Sequence, residues 1–498
     1  MNRRWRLGIP LLLIVVLLGG CLTSTKPAAQ TDHRQSTTVQ ISAREMLMTV
    51  SELVSPTYQG RKAGTIGERL ASSYITERMR ALDLKPMGVR DQFQQSFETI
   101  VTTVKAPTNL RLLDLPGGAT KELRYGYDFR PNIYSQSGNM TGPVAFAGYG
   151  VVSTEAKIDN YQGVDLKGKA VLILDGVPEA MKSAPISVEA KAQWAKNQGA
   201  AAVLIGPDPR KGSEHAAWAR ALRRGSGSKV GPSIIPTFLI SPQVVTDLLV
   251  GQDLNALMDQ IGNGGKPVIL PRRVAASVAI DRLEKGVANN VLGMITGSDP
   301  NLRDKVLVIG AHFDALGMNP DDGMNAGAHD NASGTAVVLE LARVLAKEPP
   351  PFSTLIAAWG AEENGLIGSQ YFVNNPTVPL EQIIGCVNFD MVGWKQGDLE
   401  LHRTTKGDNK LAASAQRQAE ALHIPLQLRD YMTGSDGYHF EQKGIATIWF
   451  ADSWNSETLP EYHTPDDKPE LIGEQRIGDI AKLANAVIWD LASELTKK

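Results

Sequence analysis

From residue 276 to the C-terminus, short and almost wholly apolar runs alternate with amphipathic stretches. The runs are KVLVIGA, STLIAAW, IIGCVNF and ATIWFA. A strand without a polar face has nothing to turn toward water, so it needs cover on both sides. The segments between them, SGTAVVLELARVLAK, AASAQRQAEALH and IGDIAKLANAVIWDLASEL, place apolar residues at three-to-four spacing and would supply that cover as helices. The pattern predicts an α/β fold with a mixed, largely parallel sheet between helices. Sites in such sheets form at the carboxyl ends of the strands. His312 follows the first run, Glu362 and Glu363 follow the second, and Asp390 closes the third.

With Asp330 in AHDNASG and His463 in EYHTPDD, the chain offers two imidazoles and three carboxylates in addition to Glu362. His312, Asp330, Glu363, Asp390 and His463 are a donor set for a pair of zinc ions if one carboxylate bridges them. Two dications carry four positive charges, which three carboxylates and one hydroxide balance. Glu362 is then left over as a general base toward the attacking water. Asp314 stands two residues after His312, on the same face of an extended segment, where it would accept the other imidazole N–H and fix the tautomer. Tyr462 is placed either to donate to a developing oxyanion or to pack. Taken singly, each residue has an ordinary reading: a helix cap for Asp330, a solvated pair for Glu362 and Glu363, a loop for His463. Their joint occurrence at successive strand ends favours the metal reading.

HFD, HDNASG, AEENGLIGSQ, NFDMVG and YHTPDD together resemble the co-catalytic di-zinc exopeptidases of peptidase clan MH, of the leucyl aminopeptidase and aminopeptidase Y type. DNYQGVDLKGKAVLILDG and QGAAAVLIG resemble the protease-associated domain that many of these enzymes carry as an insertion. The resemblance implies the zinc exopeptidase fold, with residues 41–104 and 276–498 forming the peptidase domain. The β-rich insertion would span 105–275. It implies two zinc ions, one held by His312 and Asp390, the other by Glu363 and His463, with Asp330 bridging. Glu362 would be the base, and Asp314 would orient His312. His329 stands where many relatives have an acidic residue, and Ser435-Asp436-Gly437 with His439 departs from their usual order. The implied activity is aminopeptidase action on peptide substrates. The alternatives are a carboxypeptidase-type or glutaminyl-cyclase-like member of the fold, or a non-catalytic receptor-like module. A carboxypeptidase needs a cation for the substrate carboxylate, for which Lys395, Arg403 and Arg429 are available. Met391 either lines an apolar specificity pocket or belongs to the core.

The N-terminus differs from the rest. Arg3, Arg4 and Arg6 precede an apolar stretch at 7–18, too short for a comfortable span, and Leu18-Gly19-Gly20-Cys21 resembles a bacterial lipoprotein box. Residues 1–20 are expected to be a signal peptide and 21–40 a flexible tether carrying lipid on Cys21. Leu22 favours the outer membrane facing the periplasm. Cys386, the other of two cysteines, is then alone and no internal disulfide forms. A net charge of -2 without a basic stripe gives no field for nucleic acid.

Overall fold

The computed structural model describes residues 40–132, 134–182, 186–212, 218, 234–262, 266–404, 409–430, 433–453 and 459–497. The expected signal peptide and nearly all of the tether, including Cys21, lie outside the described residues. Among the described residues, no helix is long and apolar enough to cross a membrane.

The strands used below are β1 (Gln94–Leu115), β2 (Phe129–Pro131), β3 (Gly138–Phe146), β4 (Ala170–Leu174), β5 (Ala202–Gly206), β6 (Thr237–Ile240), β7 (Val268–Ile295), β8 (Val306–His312), β9 (Ser353–Trp359), β10 (Ile383–Phe389), β11 (Leu399–Arg403), β12 (Gln427–Arg429) and β13 (Thr447–Asp452). They form one sheet in the order β12-β11-β13-β10-β8-β9-β7-β3-β4-β5-β6-β2, with β1 paired along β7. The middle of the peptidase half is parallel: β8 pairs in that sense with both β9 and β10, and β10 with β13. Strand β11 and the long strand β7 join it antiparallel, and the edge strand β12 pairs in parallel with β11. The sheet is thus mixed and largely parallel where the candidate residues lie, as the sequence predicts.

All seven residues of β8 are buried, because helices cover both faces. Leu307, Ile309 and Ala311 point into one core, and Val306 and Val308 into the opposite one, the two-residue period of a strand. The first core is closed by α1 (Ala43–Leu53), α2 (Ile66–Ala81), α4 (Ser333–Lys347) and α6 (Glu474–Thr496). Helix α4 carries apolar residues over most of its circumference and is buried along nearly its whole length. The second core is built on Trp359, Phe372 and Phe440, with α5 (Ile367–Asn374) over it. Cys386 is buried in this second core.

The insertion half repeats this logic on a smaller scale. Its parallel strands β3, β4, β5 and β6 are covered on one face by helix α3 (Val188–Asn197). Ala170, Leu172 and Leu174 face one core, Val171 and Ile173 the other. Strand β7 belongs to both halves. Its residues 268–278 pair with β3, and 291–295 pair with β9. The position at 275/276, where the composition changes, lies inside this continuous strand, and 104/105 lies inside β1. The two halves are therefore joined by a shared antiparallel ribbon.

Candidate metal centre

Strand register brings the ligands together. His312 ends β8 opposite Trp359 of β9, so Glu362 and Glu363 follow three and four residues beyond that pairing. On the other side Gly310 pairs with Asn388, which carries Asp390 to the same end of the sheet. Asp330 arrives just before α4. Gly334, at the start of that helix, lies so close to β10 that a Cβ there would sit 2.5 Å from the Phe389 carbonyl oxygen. Only glycine allows this approach.

His312 Nε2 is 3.2 Å from Asp330 Oδ1, 3.2 Å from Asp390 Oδ1 and 3.9 Å from Glu362 Oε2. His463 Nε2 is 2.9 Å from Asp330 Oδ2 and 3.1 Å from Glu363 Oε1. The two oxygens of Asp330 therefore face two different imidazoles. Glu363 Oε1 makes no hydrogen bond despite its distance from His463. The donors fall into two clusters, His312 with Glu362 and Asp390, and Asp330 with Glu363 and His463, each suited to a cation. All six side chains are at most 13 % exposed.

Charge points the same way. Burial drives Glu362 well above the usual carboxylate range; His312 opposes this and Asp390 adds to it. Burial likewise raises Glu363, against His463. Burial alone would pull the two imidazoles down. The carboxylates beside them outweigh it, leaving His312 well above its ordinary value and His463 up at about 10. A desolvated cluster of acids draws in positive charge, as protons or as metal ions. Two imidazole nitrogens and carboxylate oxygens are the donors zinc prefers, so the residues present fit that metal.

The surrounding hydrogen bonds hold the donors in place. Asp314 is buried behind His312, its carboxylate 3.6 Å and its backbone carbonyl 3.3 Å from Nδ1, which leaves Nε2 to face the cluster. Asp314 also accepts from the backbone N–H groups of Glu362 and Glu363, at 3.0 and 3.3 Å, and so fixes the turn carrying both glutamates. Ser435 Oγ donates to Asp390 Oδ2 at 2.5 Å and accepts from Asn388 at 2.7 Å. Asp436 is fully buried, and burial pushes it up to about 7 against the opposing charge of His312. His439 is outside both clusters. The Tyr462 ring stacks on His463 with centroids 3.7 Å apart. Tyr462 packs with Met391, Trp394 and Leu459, which gives Met391 a place in a small cluster beside the site. His329 is buried and turned toward Asp452, 3.5 Å away, which Arg476 also binds, so its charge is compensated apart from the ligands.

Three contributors carry no sequence signal of their own role. Asp467 accepts from the backbone N–H groups of His329 and Asp330, at 2.7 and 3.0 Å, and holds the segment bearing the two-faced carboxylate. The buried Arg61 guanidinium donates to the carbonyls of Leu53, Phe313, Ala326 and Gly327, tying the N-terminal segment beneath the same loops. Arg130, from β2, donates to the His463 carbonyl at 3.0 Å. Asp467 is the last residue of YHTPDD and Arg61 lies in a glycine-rich connection, but only the fold reveals their partners. His463 itself adopts φ +58°, a left-handed conformation that costs a non-glycine residue about 1–2 kcal/mol.

Residues 290–488 match the family model described as Peptidase family M28, and residues 140–248 match the PA domain. The sequence is 26% identical over 501 residues to Aminopeptidase YwaD of Bacillus subtilis (strain 168), covering 98% of this chain and 95% of that protein. It is 41% identical over 160 residues to Leupeptin-inactivating enzyme 1 of Streptomyces exfoliatus, covering 31% of this chain and 34% of the other. Among solved structures, the aminopeptidase from Aneurinibacillus sp. strain AM-1 superposes with a TM-score of 0.61 at 24% identity, covering 91% of this chain and 94% of that one. BSAP, a zinc aminopeptidase from Bacillus subtilis, superposes with a TM-score of 0.58 at 23% identity, covering 91% and 95%. At these identities the superpositions establish the fold.

Proposed function

We propose that this chain, whose residues 290–488 match Peptidase family M28 and whose residues 140–248 match the PA domain, is a two-zinc aminopeptidase that removes N-terminal residues from peptides. The observation that carries the two-metal reading is Asp330, with one carboxylate oxygen 3.2 Å from His312 Nε2 and the other 2.9 Å from His463 Nε2. His312 and Asp390 would hold one zinc, Glu363 and His463 the other, and Asp330 would bridge them. Zinc supplies Lewis acidity there, making a water nucleophilic near neutral pH and polarising a carbonyl.

The chain's own groups do the rest. Glu362 accepts a proton from the water as its oxygen adds to the scissile carbonyl carbon. It returns that proton to the nitrogen as the C–N bond breaks, so the products are a free carboxylate and a free amine. Asp314 keeps Glu362 and Glu363 at fixed positions through their backbone N–H groups. Tyr462, stacked on His463 and near the four acidic side chains, would donate to the developing oxyanion.

A carboxypeptidase reading is weaker. Arg403 is paired with Asp430, Arg429 with Glu400, and Lys395 donates to the Glu470 carbonyl. All three cations are committed elsewhere. A glutaminyl cyclase needs one zinc, and a receptor-like module needs none; the complete donor set supports neither. The test is a panel of aminoacyl-p-nitroanilides, with and without a chelator. Chelator-sensitive release, restored by zinc, is expected at about two zinc ions per chain. No release from any member, with two zinc ions bound, would turn the reading toward blocked or C-terminal substrates.

The basic head, the apolar stretch and Cys21 in register support export with a lipid anchor on that cysteine, in the outer membrane facing the periplasm. Cys21→Ser is expected to abolish incorporation of labelled palmitate in cells. Undiminished labelling of the variant would remove Cys21 as the anchor.

A further inference from the structure

Residues 463–467 reach two parts of the molecule at once. His463 faces Asp330 and Glu363 in the second donor cluster. Four residues on, Asp467 accepts from the backbone N–H groups of His329 and Asp330, and its own carbonyl accepts from Ala328 at 3.3 Å. One short loop thus supplies a ligand and fixes the backbone of the carboxylate shared between the clusters.

The opposite side of that loop meets the insertion half. Arg130 Nη2 donates to the His463 carbonyl at 3.0 Å, and Tyr127 donates from its hydroxyl to the Asp466 carboxylate. Arg130 belongs to β2, whose residues 129–131 pair with β6 at 238–240 in the insertion sheet. It is 7 % exposed, and its guanidinium lies over the Tyr125 ring, 5.4 Å from the centroid. Tyr125 and Phe129 are in turn part of the insertion core. Arg130 is therefore held from behind by the inserted domain and presented to the ligand loop.

The contact falls where the loop needs it. His463 holds a left-handed backbone conformation at φ +58°, which a non-glycine residue keeps only when its surroundings over-determine it. The groups doing so include the stacked Tyr462 ring, the Thr464 amide and hydroxyl bonded to the Glu461 carbonyl, and Arg130 on the His463 carbonyl. Of these, the contact from Arg130 comes from the inserted domain. The first cluster has no such dependence, because His312 and Asp390 are carried by β8 and the end of β10 and braced by Asp314 and Ser435.

We infer that the inserted domain completes the metal centre, with Arg130 and Tyr127 acting as positioning residues for His463 and, through the same loop, for Asp330. The inserted domain is then an internal brace of one zinc subsite as well as a covering module. The inference rests on the two-zinc reading and concerns only the subsite made by Asp330, Glu363 and His463.

The experiment is chelator competition on the full chain, measuring the dissociation constants of both zinc ions, with the absorption spectrum of the cobalt-substituted protein as a second readout. Loss of an outer hydrogen bond to a zinc ligand weakens metal binding about 10–100-fold. Arg130→Ala is expected to show that loss at one zinc only, with an altered cobalt spectrum for that site. Arg130→Lys, which retains a donor, should recover part of the affinity. Tyr127→Phe removes one oxygen from a solvent-exposed contact, leaves the fold intact and should shift the same zinc in the same direction by a smaller factor. If Arg130→Ala and Tyr127→Phe both bind two zinc ions with wild-type affinity, the inference is wrong. A change confined to KM, with zinc affinity intact, would likewise overturn it and make Arg130 a substrate contact. A wild-type chain that takes up only one zinc would overturn the two-zinc reading and this inference with it.

Discussion

Glu362→Gln is expected to keep two zinc ions and lose about 1000-fold in kcat, within the range general acid–base catalysis contributes. Glutamine has the same shape and keeps the backbone N–H that Asp314 accepts, so the turn carrying Glu363 should not move. What disappears is an oxygen able to take a proton from water and give it back. Burial in a site rich in carboxylates already places Glu362 well above its usual range. Zinc content by metal analysis and kcat on one p-nitroanilide decide the matter together. A rate within tenfold of wild type would show that another group moves the proton. Zinc lost along with the rate would make Glu362 a ligand, a role its place 3.9 Å from His312 Nε2 would also serve.

The contrast between Glu362 and Glu363 shows what the sequence makes legible. Both were visible as an acidic pair after a strand, because a parallel α/β sheet announces its strand ends through apolar runs. His312 and Asp390 are visible for the same reason, and the structure brings all four to one end of the parallel strands with Asp330 and His463. Asp314 lies behind the His312 ring, its carboxylate 3.6 Å from Nδ1. Its stronger hydrogen bonds, however, go to the backbone of residues 362 and 363, a partnership across 48 positions that no local pattern encodes. The same holds for Arg61, which reaches carbonyls more than 250 residues away, and for Arg130 beneath His463. A buried arginine looks in sequence like any surface arginine; only the loops that later surround it distinguish it. Domain organisation was legible as a change of texture, from short β-type runs separated by turns to strands interleaved with helices. The continuous β7 was not, because a strand that leaves one sheet partner for another needs no break in composition.

The second large effect concerns the residue on which the paired site turns. Asp330→Asn is expected to lower zinc from two ions to at most one per chain and to cut kcat/KM by about 1000-fold, since Lewis-acid assistance is worth several kcal/mol and each 1.36 kcal/mol is tenfold. Asparagine preserves volume and the backbone N–H that Asp467 accepts, so the loop should stay clamped. It replaces one of two equivalent oxygens by an NH₂ group that has no lone pair to give. Burial disfavours the charged form of Asp330, yet the imidazoles of His312 and His463 outweigh it and hold the carboxyl well below its ordinary range. The site is therefore built around a full negative charge on that side chain, shared between two directions. An amide can face one direction as an acceptor but must present hydrogens to the other. Zinc stoichiometry of the purified variant, measured alongside an unchanged far-UV circular dichroism spectrum, separates this effect from misfolding. Two tightly held zinc ions in a folded Asp330→Asn protein would show that the ions do not share this carboxylate, and the donor assignment would have to be redrawn around Glu362, which stands beside His312 and Asp390.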